Sequence, residues 1–341
     1  AAHEIGKLDG LFCSIMDGEG KWGRRLGRWV PPGTAKPLGY SALPADKVTE
    51  FPWPMIANRL GKKLAPGRAS AHLPSSTWLD HSAARWLRRS KARLFVGGET
   101  CSLESLCVAR DRGMNRVLDC AGVPSQALDA EARRAAAEFG LKFAGSSKSP
   151  AMTERKKQEL SLAEVVLCCS EFQRKHLLTL HPQVRRAVVI PLWTDVDLWK
   201  ACVESRVFSQ AGRPLRVLYA GAVSLRKGVP YLLEAVEPLM SEVELTLVGG
   251  VPPEMEPVLK RYRTHNHLPY VPKSELMRLF CAHDVLVMPT LGDSFGFVTV
   301  EAMASGMPVI ASQNAGAPVP DEGWRVPPHD AEVIRLRLLA Y

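Results

Sequence analysis

Residues 284–312 read DVLVMPTLGDSFGFVTVEAMASGMPVIAS. Residues 284–288 form a short apolar run rich in valine, the pattern of a strand buried on both faces. Residues 297–305 have helical spacing and are stopped by Gly306, with Pro308 beyond it. Residues 308–312 read as a strand again. Strand, loop, helix and strand in this order make a βαβ unit, and such units imply a parallel sheet. Two acids, Asp293 and Glu301, stand at either end of the glycine-containing segment. Asp293 falls in a loop at a strand's carboxyl end, the rim where open parallel sheets bind ligands. Ser294 is placed to cap the helix, and Gly296 lets a ligand approach the backbone. The helix start carries free N–H groups and partial positive charge, which suit phosphate. Glu301 lies in the second turn, about 6–8 Å further along. The two acids could grip hydroxyls on either side of a diphosphate, the layout of a sugar nucleotide. An acid near a helix start also compensates the helix dipole, and spacing alone leaves both readings open.

The same alternation extends in both directions. Residues 215–221 and 243–248 read as strands, and 229–240, 253–263 and 273–282 as helices. Between a strand and a helix lies GAVSLRKG, residues 221–228, with Arg226 and Lys227 adjacent in a loop bounded by glycines. Cations at a strand's carboxyl end suit a diphosphate; a solvated basic turn has the same composition. In the first half, residues 94–97, 116–120, 165–169 and 187–190 are strand candidates. Residues 102–112, 127–139 and 171–180 are helix candidates. Residues 22–76, rich in Pro, Gly and basic residues, read as irregular with one short helix at 55–62. Residues 195–214 read as a linker or hinge. Both ends read as cut: residues 1–8 resemble the tail of a helix, and 334–341 stop within one.

The 341 residues suit two domains. No apolar run reaches the roughly 18 residues of a membrane-spanning helix, and no signal peptide is evident at the start. The eight cysteines include no C-x-x-C pair, so reduced, mostly buried thiols in a cytosolic protein are expected, with Cys168-Cys169 in the core and no zinc site. Of 44 basic and 35 acidic residues, 12 and 14 lie from Arg213 onward, leaving 32 and 21 in the first 212 residues. The entire positive excess belongs to the first half. That balance admits nucleic acid, an anionic membrane surface or an anionic substrate. Nucleic acid is disfavoured because the basic residues are scattered, without a motif or a regular aromatic platform.

VLYAGAVSLRKGVPYLLEA (217–235), LTLVGG (245–250) and the opening stretch together resemble the C-terminal domain of the retaining family 4 glycosyltransferases, over about residues 214–330. AEVVLCCSEF (163–172) followed by VIPL (189–192) resembles the segment that closes that family's N-terminal domain. The resemblance implies an α/β GT-B fold, two Rossmann-like domains with parallel sheets facing across a cleft. The domains would be an acceptor domain at 1–195, a hinge at 196–213 and a nucleotide-sugar donor domain at 214–341. Lys227 and Arg226 would neutralise the departing diphosphate. Glu301 would hold the ribose hydroxyls, and Asp293 would contact the transferred sugar. Gly221 would open the phosphate loop, and Ser294, Phe295, Gly296 and Phe297 would present backbone N–H groups.

Three departures stand out. Ala222 replaces an arginine common in the family, Asp293 replaces its usual glutamate, and Ala121 stands where its N-terminal-domain histidine is expected. His72 and His81 are alternatives that read better as surface or packing residues. His265 and His267 read as loop residues without further metal ligands. Trp29, Trp53, Trp78 and Trp86 read as packing or acceptor-side contacts, and Trp193 and Asp195 as cleft-lining or seam residues. The implied reaction is transfer of a sugar from a nucleoside-diphosphate sugar to an acceptor hydroxyl, with retention. It would need no cofactor or metal, and its acceptor would be a glycan or glycolipid in surface polysaccharide or glycolipid synthesis. The implied place is the cytoplasm, peripheral on the inner membrane face. The alternative is an inactive nucleotide-sugar binder.

Overall fold

The structure, a computed structural model, describes residues 6–13, 43–54, 56–57, 72–143, 145, 150–206, 212–263 and 265–341. Its strands are β1 (Leu11–Cys13), β2 (Val48–Glu50), β3 (Leu94–Gly98), β4 (Asn115–Asp119), β5 (Val165–Cys168), β6 (Ala187–Val189), β7 (Leu215–Ala220), β8 (Val243–Val248), β9 (His265–Leu268), β10 (Val285–Met288), β11 (Val309–Ser312) and β12 (Arg325–Val326). Its helices are α1 (His72–Leu87), α2 (Leu103–Asp111), α3 (Ser125–Glu138), α4 (Pro150–Leu162), α5 (Glu171–Leu180), α6 (Lys200–Ser205), α7 (Val229–Val236), α8 (Glu256–Leu259), α9 (Lys273–Ala282), α10 (Phe297–Ala304) and α11 (Ala331–Leu339). Two compact units emerge. The first comprises Ala1–Cys120, Lys148–Leu167 and Gln183–Arg186; the second comprises Ala121–Ser147, Cys168–Pro182 and Ala187–Tyr341.

The second unit is built on a parallel six-stranded sheet of order β12-β11-β10-β7-β8-β9. Counted from β7, that is the doubly wound order 3-2-1-4-5-6, in which the chain reverses direction between its first and fourth strands. The reversal therefore lies between β7 and β10. Both of these central strands are covered on both faces, which is why they read as apolar runs. Leu218, Tyr219, Leu232, Leu245, Leu286 and Ile310 are buried in one continuous core. Each such aliphatic side chain contributes about 1.5–3 kcal/mol by leaving water. Phe139 meets Tyr231 edge-on at 5.0 Å, and the Tyr231 hydroxyl donates to Glu138, which ties α3 to α7.

In the first unit β3, β4 and β5 pair in parallel. Ala84, Leu87, Val108, Ala109 and Met114 form the apolar core beside them. Trp86 packs 5.9 Å from Phe12, and Trp78 meets Phe51 edge-on at 5.6 Å. Trp53 is exposed. Trp29 lies outside the described residues. His81 is on the surface, paired with Glu104 at 2.7 Å.

Several expectations change. The helix at 253–263 is a 3-10 turn, Pro253–Met255, and the single turn α8, because Pro257 interrupts the pattern. His265 and His267 belong to edge strand β9 rather than a loop. Residues 72–76, read as irregular, begin α1. The proposed linker at 195–214 contains a 3-10 turn, Val196–Trp199, and α6, with Trp199 and Cys202 buried in the core. Cys202 and Cys281 form a disulfide between α6 and α9, so the all-reduced reading fails for this pair. Cys13, Cys101, Cys107, Cys120, Cys168 and Cys169 stay outside this disulfide as thiols. Residues 1–5, and Met55 and residues 58–62 of the expected short helix, lie outside the described residues.

Candidate active site

The loops after β7 and β10 both emerge at the reversal point of the second unit, where doubly wound sheets open a crevice. After β7 the buried Tyr219 hydroxyl donates to the Ala222 carbonyl at 2.7 Å and fixes the turn at Gly221. Burial, and secondarily the charge of Asp293, push the Tyr219 phenol upward, so it stays a neutral donor. The Leu225–Lys227 turn carries both cations and ends at Gly228, with φ 70°. A Cβ at Gly228 would lie 1.8 Å from the Pro289 carbonyl oxygen, so only glycine lets the two loops touch. The Arg226 carbonyl accepts from Leu291 N–H at 2.9 Å and from the Thr290 hydroxyl at 3.2 Å. Backbone and side chain together stitch the basic loop to the acidic one.

Asp293 is fixed by its own main chain, which accepts from Gly316 N–H and donates to the Asn314 carbonyl, both at 3.0 Å. Its carboxylate accepts a hydrogen bond from Lys227 Nζ. The two side chains are 16% and 17% exposed, so water screens this pair only in part. Arg226 is exposed at the same loop, its guanidinium 3.5 Å from the Gly292 carbonyl.

Helix α10 starts after Gly296, whose φ of 84° turns the chain into the helix. Ser294 does not cap it. Its hydroxyl instead accepts from Val123 N–H at 2.8 Å, and its carbonyl accepts from the Ser170 hydroxyl at 2.5 Å. Sequence reasoning missed this because Val123 is 171 residues distant and nothing local marks it. The Phe295 ring is buried against Cys169 and Ala317, while Phe297 is 53% exposed. The first amides of α10 have no partner inside the helix, as at every helix start. Within that turn, Thr299 is fully buried and its hydroxyl has no hydrogen-bond partner among the described residues. That hydroxyl lies 3.5 Å from where a Cβ on Gly296 would sit, so an orphaned polar atom accompanies the free amides. Glu301 follows in the second turn. Lys273, at the start of α9, approaches its carboxylate at 3.7 Å and lies over the Trp199 ring at 5.9 Å. Lys273 and Thr299 were not foreseen; the first reads simply as a helix start and the second as part of an apolar helix face.

The second unit thus brings Arg226 and Lys227 to Gly292 and Asp293, beside Gly296 and the helix that carries Glu301, while Gly221 opens the loop that holds the two cations. Two cations and free amides can hold an anion, and two acids can accept from hydroxyls. Among the described residues no group of three or more His, Cys, Asp or Glu is arranged to hold a metal. Ala121 follows β4 and its Cys120. Trp193 is 79% exposed, and Asp195 accepts from Asp197 N–H at 3.1 Å to cap the turn at Val196.

Residues 214–339 match the family described as Glycosyl transferases group 1. An uncharacterized 41.2 kDa protein in the cps region of Klebsiella pneumoniae is 33% identical over 138 residues, 40% of this chain and 37% of that protein. D-inositol 3-phosphate glycosyltransferase of Xylanimonas cellulosilytica is 27% identical over 179 residues, 47% of this chain and 43% of that enzyme. The chain therefore spans about two fifths of the length of these relatives. Sucrose-phosphate synthase from Thermosynechococcus elongatus superposes with a TM-score of 0.59 at 21% identity, over 79% of this chain and 70% of that one. Anabaena Alr3699/HepE in complex with UDP and glucose superposes with a TM-score of 0.52 at 15% identity, over 86% and 82%. No described helix is long and apolar enough to cross a membrane. Residues 214–339 are accordingly similar to a Glycosyl transferases group 1 domain, carried on an α/β chain that shares the GT-B fold of these neighbours.

Proposed function

We propose that this chain transfers a sugar from a nucleoside-diphosphate sugar to an acceptor hydroxyl with retention at the anomeric carbon, the second unit holding the donor. The observation that carries the reading is the Lys227–Asp293 pair at the reversal point, next to the start of α10 and Glu301. An arriving diphosphate offers Lys227 two or more negative charges in place of one. Lys227 then turns to the phosphate, and Asp293 is released to accept from a hydroxyl of the donor sugar. Glu301 accepts from the ribose hydroxyls. As the bond between the anomeric carbon and the phosphate oxygen breaks, negative charge grows on the diphosphate. Arg226, Lys227 and the α10 amides are fixed beforehand to receive it. The acceptor oxygen bonds to the same face of the sugar, and its proton passes to the departing phosphate oxygen.

The Anabaena neighbour is in complex with UDP and glucose, which makes UDP the first nucleotide to try. Cationic side chains and helix amides supply the charge stabilisation, so the reaction proceeds without a metal in this reading. The basic excess of the first 212 residues suits attachment to an anionic membrane surface, in polysaccharide or glycolipid synthesis on the cytoplasmic side.

The deciding experiment is thermal stabilisation by UDP, GDP and ADP, on this chain and on Glu301→Ala. A shift with one nucleotide, lost in the variant, supports the donor site and names the base. Transfer assays with the matching sugars, with and without EDTA, then test the reaction. A folded chain that shifts with none of the three overturns the reading.

A further inference from the structure

We propose that Glu99, Lys156 and Asp119 form a subsite in the first unit for adjacent hydroxyl groups of an uncharged polyol such as a sugar ring. As an acceptor site it rests on the transferase reading; as a binding site it does not.

The three residues meet at the carboxyl ends of neighbouring parallel strands. Gly98 of β3 is in register with Asp119 of β4, and Glu99 N–H donates to the Asp119 carbonyl at 3.0 Å. The rim of a parallel sheet is where ligands bind. The turn that follows β3 is held in an uncommon conformation, with Thr100 at φ 71°.

Several buried charges in this region are already satisfied. Glu159 accepts from Thr100 N–H at 2.6 Å and Ser102 N–H at 2.9 Å. Asp80 accepts from Glu104 N–H, Ser105 N–H and Arg155. These acids neutralise the start of α2 and hold the scaffold. Glu99 and Lys156 differ. Their side chains are only 8% and 7% exposed, and they pair at 2.6 Å through Glu99 Oε1. Among the described residues Glu99 Oε2 has no hydrogen-bond partner, and the Lys156 ammonium makes only the ion pair. Buried polar atoms are rarely left so without a water or a ligand to complete them.

The chemistry of the missing partner follows. An anion is repelled by Glu99 and Asp119, and a cation by Lys156. A hydroxyl satisfies both halves, donating to Glu99 Oε2 and accepting from Lys156. Asp119 stands beside them as an acceptor for a second hydroxyl. Burial, and then the charge of Glu99, hold the Asp119 carboxyl above its ordinary range, as expected for two acids that lack a donor between them.

The test is saturation-transfer NMR on the full chain with glucose, mannose and myo-inositol, alongside glucose 6-phosphate and glucosamine, for the native chain, Asp119→Asn and Glu99→Gln. Asp119 is exposed, so its variant folds even if the buried Glu99→Gln chain does not; melting curves screen both. At least one uncharged polyol should bind, and binding should weaken roughly tenfold or more in each folded variant, as for loss of a hydrogen bond to a charged group. The thermal shift with nucleotide should not change. No signal from any uncharged polyol, binding only by the charged compounds, or undiminished binding in a folded variant overturns the subsite. Absence of any nucleotide shift in the native chain, with polyol binding intact, overturns the donor reading and leaves this one standing.

Discussion

Lys227 donates to Asp293 across 66 residues of sequence, so the cation proposed for a diphosphate is paired with the acid proposed for a sugar. Each group is the other's placeholder. Asp293→Asn should therefore tighten UDP binding several-fold, because Lys227 no longer exchanges one carboxylate for another. The same change should lower turnover, since the sugar loses its acceptor. Lys227→Ala should weaken UDP by tenfold or more, on the order of 1.4 kcal/mol. Calorimetric titration with UDP reads both; equal loss in the two variants would remove the exchange from the mechanism.

Thr299 buries a hydroxyl with no partner among the described residues in the first turn of α10. Such an atom costs about 1–3 kcal/mol. Thr299→Val keeps the shape and removes the cost, so the free chain should melt at the same temperature or higher. If the hydroxyl donates to a bound phosphate oxygen, the same variant should bind UDP a few-fold more weakly. A chain that is destabilised and binds UDP normally would show that the hydroxyl serves only the fold.

The second unit was legible in sequence wherever burial is apolar on both faces. β10 and β11 are buried throughout, and their runs in the quoted stretch fix the parallel sheet. β9 was not legible, because His265-Asn-His-Leu268 is an edge strand whose polar residues need no covering. α4 was missed for the opposite reason. Its buried face is Arg155, Lys156, Glu159 and Leu160, so a hydrophobic-periodicity reading sees a solvated segment. The loops after β7 and β10 could be read because glycine, lysine and acid fall at the ends of predictable strands. Ser294 was misread because its partners, Val123 and Ser170, are brought to it only by folding.

Asp284 gives the fold an acid-sensitive joint. Burial alone would raise its carboxyl. Hydrogen bonds from Arg213 at 2.7 and 2.8 Å and from Arg216 N–H at 2.9 Å win, and hold it well below the usual carboxylate range. A folded-state value below the unfolded one stabilises the chain at every pH above about 3.9, the free carboxylate value. That stabilisation is lost as pH falls below it toward the folded-state value. Urea titrations should show stability falling from about pH 5 downward. Asp284→Asn should be less stable at pH 7 by on the order of 3 kcal/mol. It should also lose less between pH 5 and pH 3 than the native chain; an identical acid limb would assign the acid sensitivity to other groups.

The disulfide between Cys202 and Cys281 closes a span of 79 residues and joins α6 to α9, the helix whose first residue, Lys273, faces Glu301. Closing a loop of that length restricts the unfolded chain by up to about 4.5 kcal/mol. Oxidised protein should therefore melt several degrees above protein held in dithiothreitol, and Cys202→Ser should melt with the reduced form whatever the redox state. Because Trp199 and Phe280 pack edge-on at 5.2 Å beside the bridge, the two helices should remain joined after reduction, and the loss should appear as a lower melting temperature with UDP binding largely retained. Peptide mapping without reductant should recover Cys202 and Cys281 in one linked fragment. Recovery of both as free thiols from air-oxidised protein would remove the bridge from the account and restore eight reduced cysteines.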